Sequence, residues 1–374
     1  MTRSLAASII VALACSMPAF AASPDCSSLG GTAVSWPSVD PVWEMCVVRP
    51  SDSSPVSSGG SGLELRGVHF RGHQVLKRAH TPILNVQYYD QDMNESTCFR
   101  DWVNSENALL MDTPNPLGGG LYEPTAPAQT VCDKATDPLS PVGDCSWGEP
   151  GDCNQGVAVE RYQDHVVFTS HGQAGWYRYS YRWRFYLDGT IEPEFGFGTY
   201  NDTFSSNTHR HHVYWRLDFD IDGPANDVVS EDDVPFTTEA SRTWTDLNTR
   251  WKVEDAVAGL GYELEPGAQE LLLPVDSFSR TDFMVAVYRS TELDDDPPGG
   301  DSCAIDTSDF VNGESLAGED VVMWYRGGVQ DTVDVDIFLC KRAQPTLRPI
   351  GDWGQSQQIF ADGFESGNTA AWGQ

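Results

Sequence analysis

The sequence predicts an all-β protein, a large antiparallel β-sandwich, on three observations. The 374-residue chain carries many runs of strand character, among them GVHFRG, PILNVQYY, GVAVERYQDHVVFTS, WYRYSYRWRFYL, TIEPEFGF, HVYWRLDFDI, DFMVAVYRS, DVVMWYR and VDVDIFLC. Turn residues divide them, as LDGT does at 187–190. The chain also holds 12 Trp, 13 Tyr and 16 Phe, enough large apolar surface for one extensive core and far too much for a solvated coil. No internal repeat is visible, which disfavours propellers and solenoids. One helix is expected, over Phe99 to Met111.

Residues 1–22 read as a secretory signal. Arg3 supplies the positive end, Leu5 to Ala14 is apolar, and Ala19-Phe20-Ala21 is a small-x-small cleavage site. No other stretch is long and apolar enough to span a bilayer. The expected product is exported, secreted or periplasmic. Residues 23–62 form a Cys-containing N-terminal segment that ends in the linker RPSDSSPVSSGGSG (49–62). The sandwich domain is expected over 63–347, with a C-terminal tail over 348–374.

Nine cysteines less Cys15 of the signal leave eight, an even number suited to disulfides in an oxidising compartment. The expected pairs are Cys26–Cys46, Cys303–Cys340, and a pairing within Cys98, Cys132, Cys145 and Cys153. No CxxC occurs, so neither a zinc ribbon nor a thioredoxin-like redox pair has support.

Charge narrows the partners. The chain has 55 Asp and Glu against 23 Lys and Arg, a net charge of −32. Cleavage of the signal removes Arg3 and no acid, giving 22 − 55 = −33. Such a field repels nucleic-acid phosphates and anionic membrane surfaces and attracts a small cationic substrate such as an amine.

Two strands carry most of the chemistry. From Trp176 to Leu187, one face presents Tyr177, Tyr179, Tyr181, Trp183 and Phe185, and the other Arg178, Ser180, Arg182 and Arg184. Burial of all five aromatics as core explains this pattern without any function. From His209 to Asp222, His209 and His211 stand two apart, so both imidazoles point the same way, the geometry for two ligands of one metal. Their face continues as Val213, Trp215, Leu217, Phe219 and Ile221, whereas His212 points to the opposite side. A surface histidine cluster in a turn is the plainer alternative. DFDIDG (218–223) begins like a calcium loop but has Val229 at the twelfth position, so the EF-hand pattern fails.

Taken in order, GLELRGVHFRGHQVLKRAHTPILNVQYYD, WYRYSYRWRFYLDGTIE, HRHHVYWRLDFDIDGPAND and GEDVVMWYRGGV resemble the catalytic domain of copper amine oxidases, the topaquinone enzymes. The resemblance implies that family's large β-sandwich, usually found as a homodimer, without the smaller N-terminal domains of typical members. It places Tyr177 where the family has the tyrosine that self-oxidises to topaquinone. It implies Schiff-base formation with a primary amine, proton removal by an aspartate, and release of aldehyde, ammonia and hydrogen peroxide. Asp101, in CFRDW, lies near the position of that base. His209 and His211 match two copper ligands, and Asp331 aligns with the third. Asp218, the Phe219 carbonyl, Asp220 and Asp320 match a peripheral site for calcium or a similar hard cation.

The departures are equally specific. Trp176 and Arg178 flank Tyr177 where the family has Asn and an acid, and no histidine follows His212. Three readings therefore stand: a divergent amine oxidase, a catalytically degenerate member acting as a cation-stabilised binding or structural protein, and an unrelated sandwich such as a lectin or glycosidase.

Overall fold

Alternation of apolar and polar residues over five to seventeen positions builds the strands, because each can bury one face against a second sheet. A computed structural model describes residues 23–54, 61–101, 103, 109–111, 115–128, 153–174, 177–199, 207–243, 246–267, 281–293, 310–331 and 341–354. The expectations for the signal at 1–22, for Trp176, for Cys303–Cys340 and for the end of the tail lie outside those residues.

The strands used below are β1 (Thr32–Trp36), β2 (Trp43–Val48), β3 (Glu64–Phe70), β4 (His73–Tyr89), β5 (Glu95–Arg100), β6 (His165–Ala174), β7 (Tyr177–Tyr186), β8 (Ile191–Thr199), β9 (His209–Phe219), β10 (Phe283–Val287) and β11 (Val321–Asp331). One nine-stranded sheet runs β1-β2-β3-β4-β9-β11-β10 and closes on a short strand at Ala240–Arg242, with β5 added to β4. The second sheet has twelve strands and includes the neighbours β8, β7 and β6. Pairing is antiparallel except where Leu121–Glu123 runs parallel to Val157–Arg161. The all-β sandwich read from the sequence is the fold observed. No helix among the described residues is long and apolar enough to cross a membrane.

The core lies between the two sheets. Tyr179, Tyr181, Trp183 and Phe185 of β7 meet Val213, Trp215, Leu217 and Phe219 of β9 in one continuous buried cluster. Indoles fix its ends. Trp43 is fully buried and donates its ring N–H to the Tyr186 carbonyl at 2.7 Å, while Trp251 stacks on Phe283 at 4.5 Å.

Two features depart from the sequence reading. The described residues of the helix expected over Phe99–Met111 are not helical: Phe99 and Arg100 belong to β5, paired with Val86 and Asn85 of β4, and Leu109–Leu110 pairs with Cys153–Asn154. An available sheet edge satisfies the backbone of Phe99 and Arg100, and that tertiary pairing overrides local helix preference there. In addition, β1 and β2 precede the linker yet pair onward to β3, so the N-terminal segment extends the sandwich's own sheet. Cys26–Cys46 forms as expected and ties the short helix Cys26–Leu29 to β2. Cys98 is disulfide-bonded as well.

Glu239 organises the far end of the first sheet. One carboxylate oxygen accepts from Val287 N at 3.0 Å, and the other from Asn312 N at 2.8 Å, Gly313 N at 3.1 Å and Glu314 N at 3.3 Å. Glu239→Gln turns an amide NH₂ toward backbone donors and leaves some of them unpaired in a buried place. The expected loss is about 2 kcal/mol of unfolding free energy, read from the urea midpoint. A midpoint equal to wild type removes this anchor from the account.

Candidate active site

Strand β9 lies between β4 and β11, and all eleven of its residues are buried. The register places Tyr88, His209 and Asp331 in one row across three strands, and Val86, His211 and Val329 in the next row on the same face. Opposite them, β7 turns Tyr177 and Tyr179 inward. The two histidines and the two tyrosines therefore meet only where the sheets face each other.

Tyr177 Oη lies 3.0 Å from His209 Nε2 and 3.0 Å from Tyr88 Oη. His209 Nδ1 is 3.0 Å from the Asn207 carbonyl, which can only accept, so Nδ1 carries the proton. Burial lowers the His209 pKa to about 4, so its ring is neutral and Nε2 holds a lone pair. It follows that Tyr177 donates to His209 Nε2 and Tyr88 donates to Tyr177.

The same reasoning assigns His211. Tyr179 donates a short hydrogen bond to Asp101, so its oxygen accepts the contact from His211 Nδ1 at 3.4 Å. His211 Nε2 is then a lone pair, buried, with no hydrogen-bond partner among the described residues. Burial, with His209 and His212 nearby, holds the His211 pKa well below the usual histidine value. The two imidazole centroids are 5.2 Å apart, the edge of Tyr177 meets His211 at 4.9 Å, and Phe197 covers His211 at 3.9 Å. Both rings thus keep an unprotonated Nε2, the nitrogen a metal would take, that of His209 accepting the Tyr177 hydroxyl and that of His211 unpartnered among the described residues, and both have Nδ1 held by another partner. Nitrogen NMR at about pH 6 should find both rings neutral with Nε2 unprotonated. A protonated Nε2 on either ring overturns the assignment.

Asp331 stands back from this pair, with Oδ2 3.9 Å from His209 Nε2. Among the described residues, no group of three His, Cys, Asp or Glu side chains is arranged to hold a metal ion. The imidazole pair fits a borderline metal in donor type, and the third donor has not closed on it. Burial pushes the Asp101 pKa up to about 6, against the lowering effect of Tyr179 and Arg100. Burial likewise raises Tyr88 to about 12, so that phenol stays protonated and able to donate. His212 faces away, where Arg326 donates to its Nδ1 at 2.6 Å and pairs with Asp282.

Sequence reasoning missed Tyr88 and the part played by Tyr179. Tyr179 carried a signal, since it lies on the same face as Tyr177, two residues on. Tyr88 carried none, because only the cross-strand register sets it beside His209.

A second group lies at the far end of β9. Asp218, Asp220 and Asp320 each keep one buried carboxylate oxygen without a hydrogen-bond partner among the described residues, and so does Asp227. Burial raises the pKa of Asp218 and Asp220 to about 6 and of Asp227 to about 7, with Asp320 adding repulsion to each. Lys77 answers part of this charge from 2.9 Å on Asp320. The sheet register shifts between Asp218 and Phe219, just before Asp220. The unpaired oxygens fit the donor chemistry of a hard cation.

No family model matches the chain, and no curated protein matches it. Solved structures do. A lysyl oxidase of Pichia pastoris superposes with a TM-score of 0.52 at 14% identity, covering 83% of this chain and 51% of that one. A copper-containing benzylamine oxidase of Hansenula polymorpha gives a TM-score of 0.52 at 14% identity, covering 83% of this chain and 58% of that one. The chain spans just over half the length of these structures. In fold, it is a distant structural relative of the copper amine oxidases.

Proposed function

We propose that the chain is an exported, divergent amine oxidase acting on small cationic primary amines, with Tyr177 as the precursor of a topaquinone and a copper ion held by His209 and His211. One observation carries the reading: Tyr177 donates its hydroxyl to His209 Nε2 at 3.0 Å, beside the unpartnered Nε2 of His211. When present, copper supplies the one-electron redox chemistry that activates dioxygen beside the phenol. The protein's own residues do the rest. Asn207 and Tyr179 fix the imidazole tautomers, and Tyr88 holds the Tyr177 oxygen from its other side. Asp101, with a pKa near the working range of a general base, accepts a proton from substrate, and Tyr179 orients it. The net charge of −32 draws cationic amines toward the protein. A homodimer, as in the resembled family, belongs to the same proposal.

The position of Asp331 favours a second reading, a degenerate member that keeps the sandwich and the peripheral cation but makes no quinone. The test is the mass of the Tyr177 peptide after the protein is loaded with Cu(II) in air, together with its copper content. Gain of two oxygens and loss of two hydrogens, with bound copper, is the expected result. Unmodified Tyr177 on a protein that holds no copper would leave the second reading standing.

A further inference from the structure

On its outward side, the second sheet carries a groove that the chemistry above does not use. Odd-numbered residues of β7 face the core, so Arg182 and Arg184 face out, opposite Thr169 and Val167 of β6. They floor a cavity of about 260 Å³ walled by Glu160, Tyr162 and His165 on one side and by Pro127 and Ala128 on the other. A second hollow of about 130 Å³, under Pro124–Pro127, shares Pro127, Glu160 and Tyr162 with the first. The two hollows therefore adjoin, with Tyr162 in the wall of both.

The polar groups are fixed in place before any ligand arrives. Arg184 donates to Glu194 at 3.0 Å, and Arg182 donates its Nε–H to Thr169 Oγ1 at 3.1 Å. Glu194 is buried behind both guanidiniums. Across the groove, Glu160 accepts from Tyr162 Oη at 2.8 Å and from Ala128 N at 3.3 Å. Arg182 and Arg184 thus face Glu194 and Glu160, and Arg161 of the second hollow pairs with Glu123, so the groove offers donors and acceptors with little net charge. An anion gains little there and is opposed by the field of the whole chain, and a cation meets the two arginines first. Tyr162 is 39% exposed, and its ring lies flat on His165, with centroids 4.5 Å apart and planes at 13°. A held aromatic face beside guanidinium donors and a carboxylate acceptor matches a sugar ring, which offers an apolar C–H face and a rim of neighbouring hydroxyls.

We propose that this groove binds a neutral oligosaccharide, with one sugar ring in each hollow and Tyr162 in the wall of both. The site is independent of the quinone reading, because it lies on the opposite side of β7 from Tyr177. Saturation-transfer NMR on the full chain with cellobiose, maltose, lactose and glucose tests it, with inorganic phosphate added as an anionic competitor whose binding is read from loss of the sugar signals. Transfer to the ring C–H protons of at least one disaccharide is expected, with tighter binding than glucose. Tyr162→Ala, at an exposed position and checked by an unchanged melting temperature, should weaken that binding at least about tenfold. No transfer from any disaccharide, undiminished transfer in Tyr162→Ala, or phosphate binding more tightly than every sugar would each overturn the proposal.

Discussion

Tyr177→Phe should reduce amine-dependent peroxide formation to background. The phenyl ring keeps its contacts with Phe197 and the two imidazoles, so packing survives. What goes is the oxygen that joins Tyr88 to His209, and with it the phenol that the proposed quinone is made from. Loss of that oxygen also leaves His209 Nε2 without its donor, at a cost of about 1–2 kcal/mol in stability. The variant is therefore expected to fold, to bind copper, and to give no redox-cycling stain. Tyr179→Phe makes the informative control. It frees Asp101 and His211 Nδ1 without touching Tyr177, so quinone formation and turnover should part company. Peroxide formation by Tyr177→Phe equal to wild type removes this residue from the mechanism.

Calcium should raise the melting temperature by about 4 °C, from roughly 2.7 kcal/mol of linkage at a hundredfold excess over the dissociation constant. The reason lies in the unpaired oxygens of Asp218, Asp220, Asp227 and Asp320. Without a cation, keeping Asp218 ionised at neutral pH costs the fold on the order of 3 kcal/mol, from a pKa raised from 3.8 to about 6. The pH dependence follows in sign. Unfolded, these carboxyls ionise near 3.8; folded and cation-free, Asp218 and Asp220 keep protons to about 6 and Asp227 to about 7. The fold binds more protons than the unfolded chain across that window, so their contribution to stability falls as pH rises from about 4 to about 7. A bound cation favours the ionised carboxylates and reverses this slope. Melts with and without calcium should therefore diverge as pH rises, and Asp320→Asn should close the gap. Superimposable curves in both conditions would rule these carboxylates out as ligands.

The alternation of β7 and β9 was legible in the sequence because a strand has a period of two, and that period acts between neighbours in the chain. It was enough to place His209 and His211 on one face, to set His212 on the other, and to line Tyr177 through Phe185 along a core. It was enough for the all-β class as well. The helix expected from Phe99 failed at its first residues because the edge of β4, more than ten residues upstream, took Phe99 and Arg100 into its ladder. The β1–β2 pair joined the main sheet in the same way, across a linker that reads as a boundary. Only the tertiary structure decided which phenol reaches which imidazole. Tyr88, Tyr177 and His209 lie on three strands of two different sheets, so their meeting depends on how those sheets pack and in what register. The donor directions, the distance at which Asp331 stands, and the groove over Arg182 and Arg184 all follow from that packing, which no local pattern encodes.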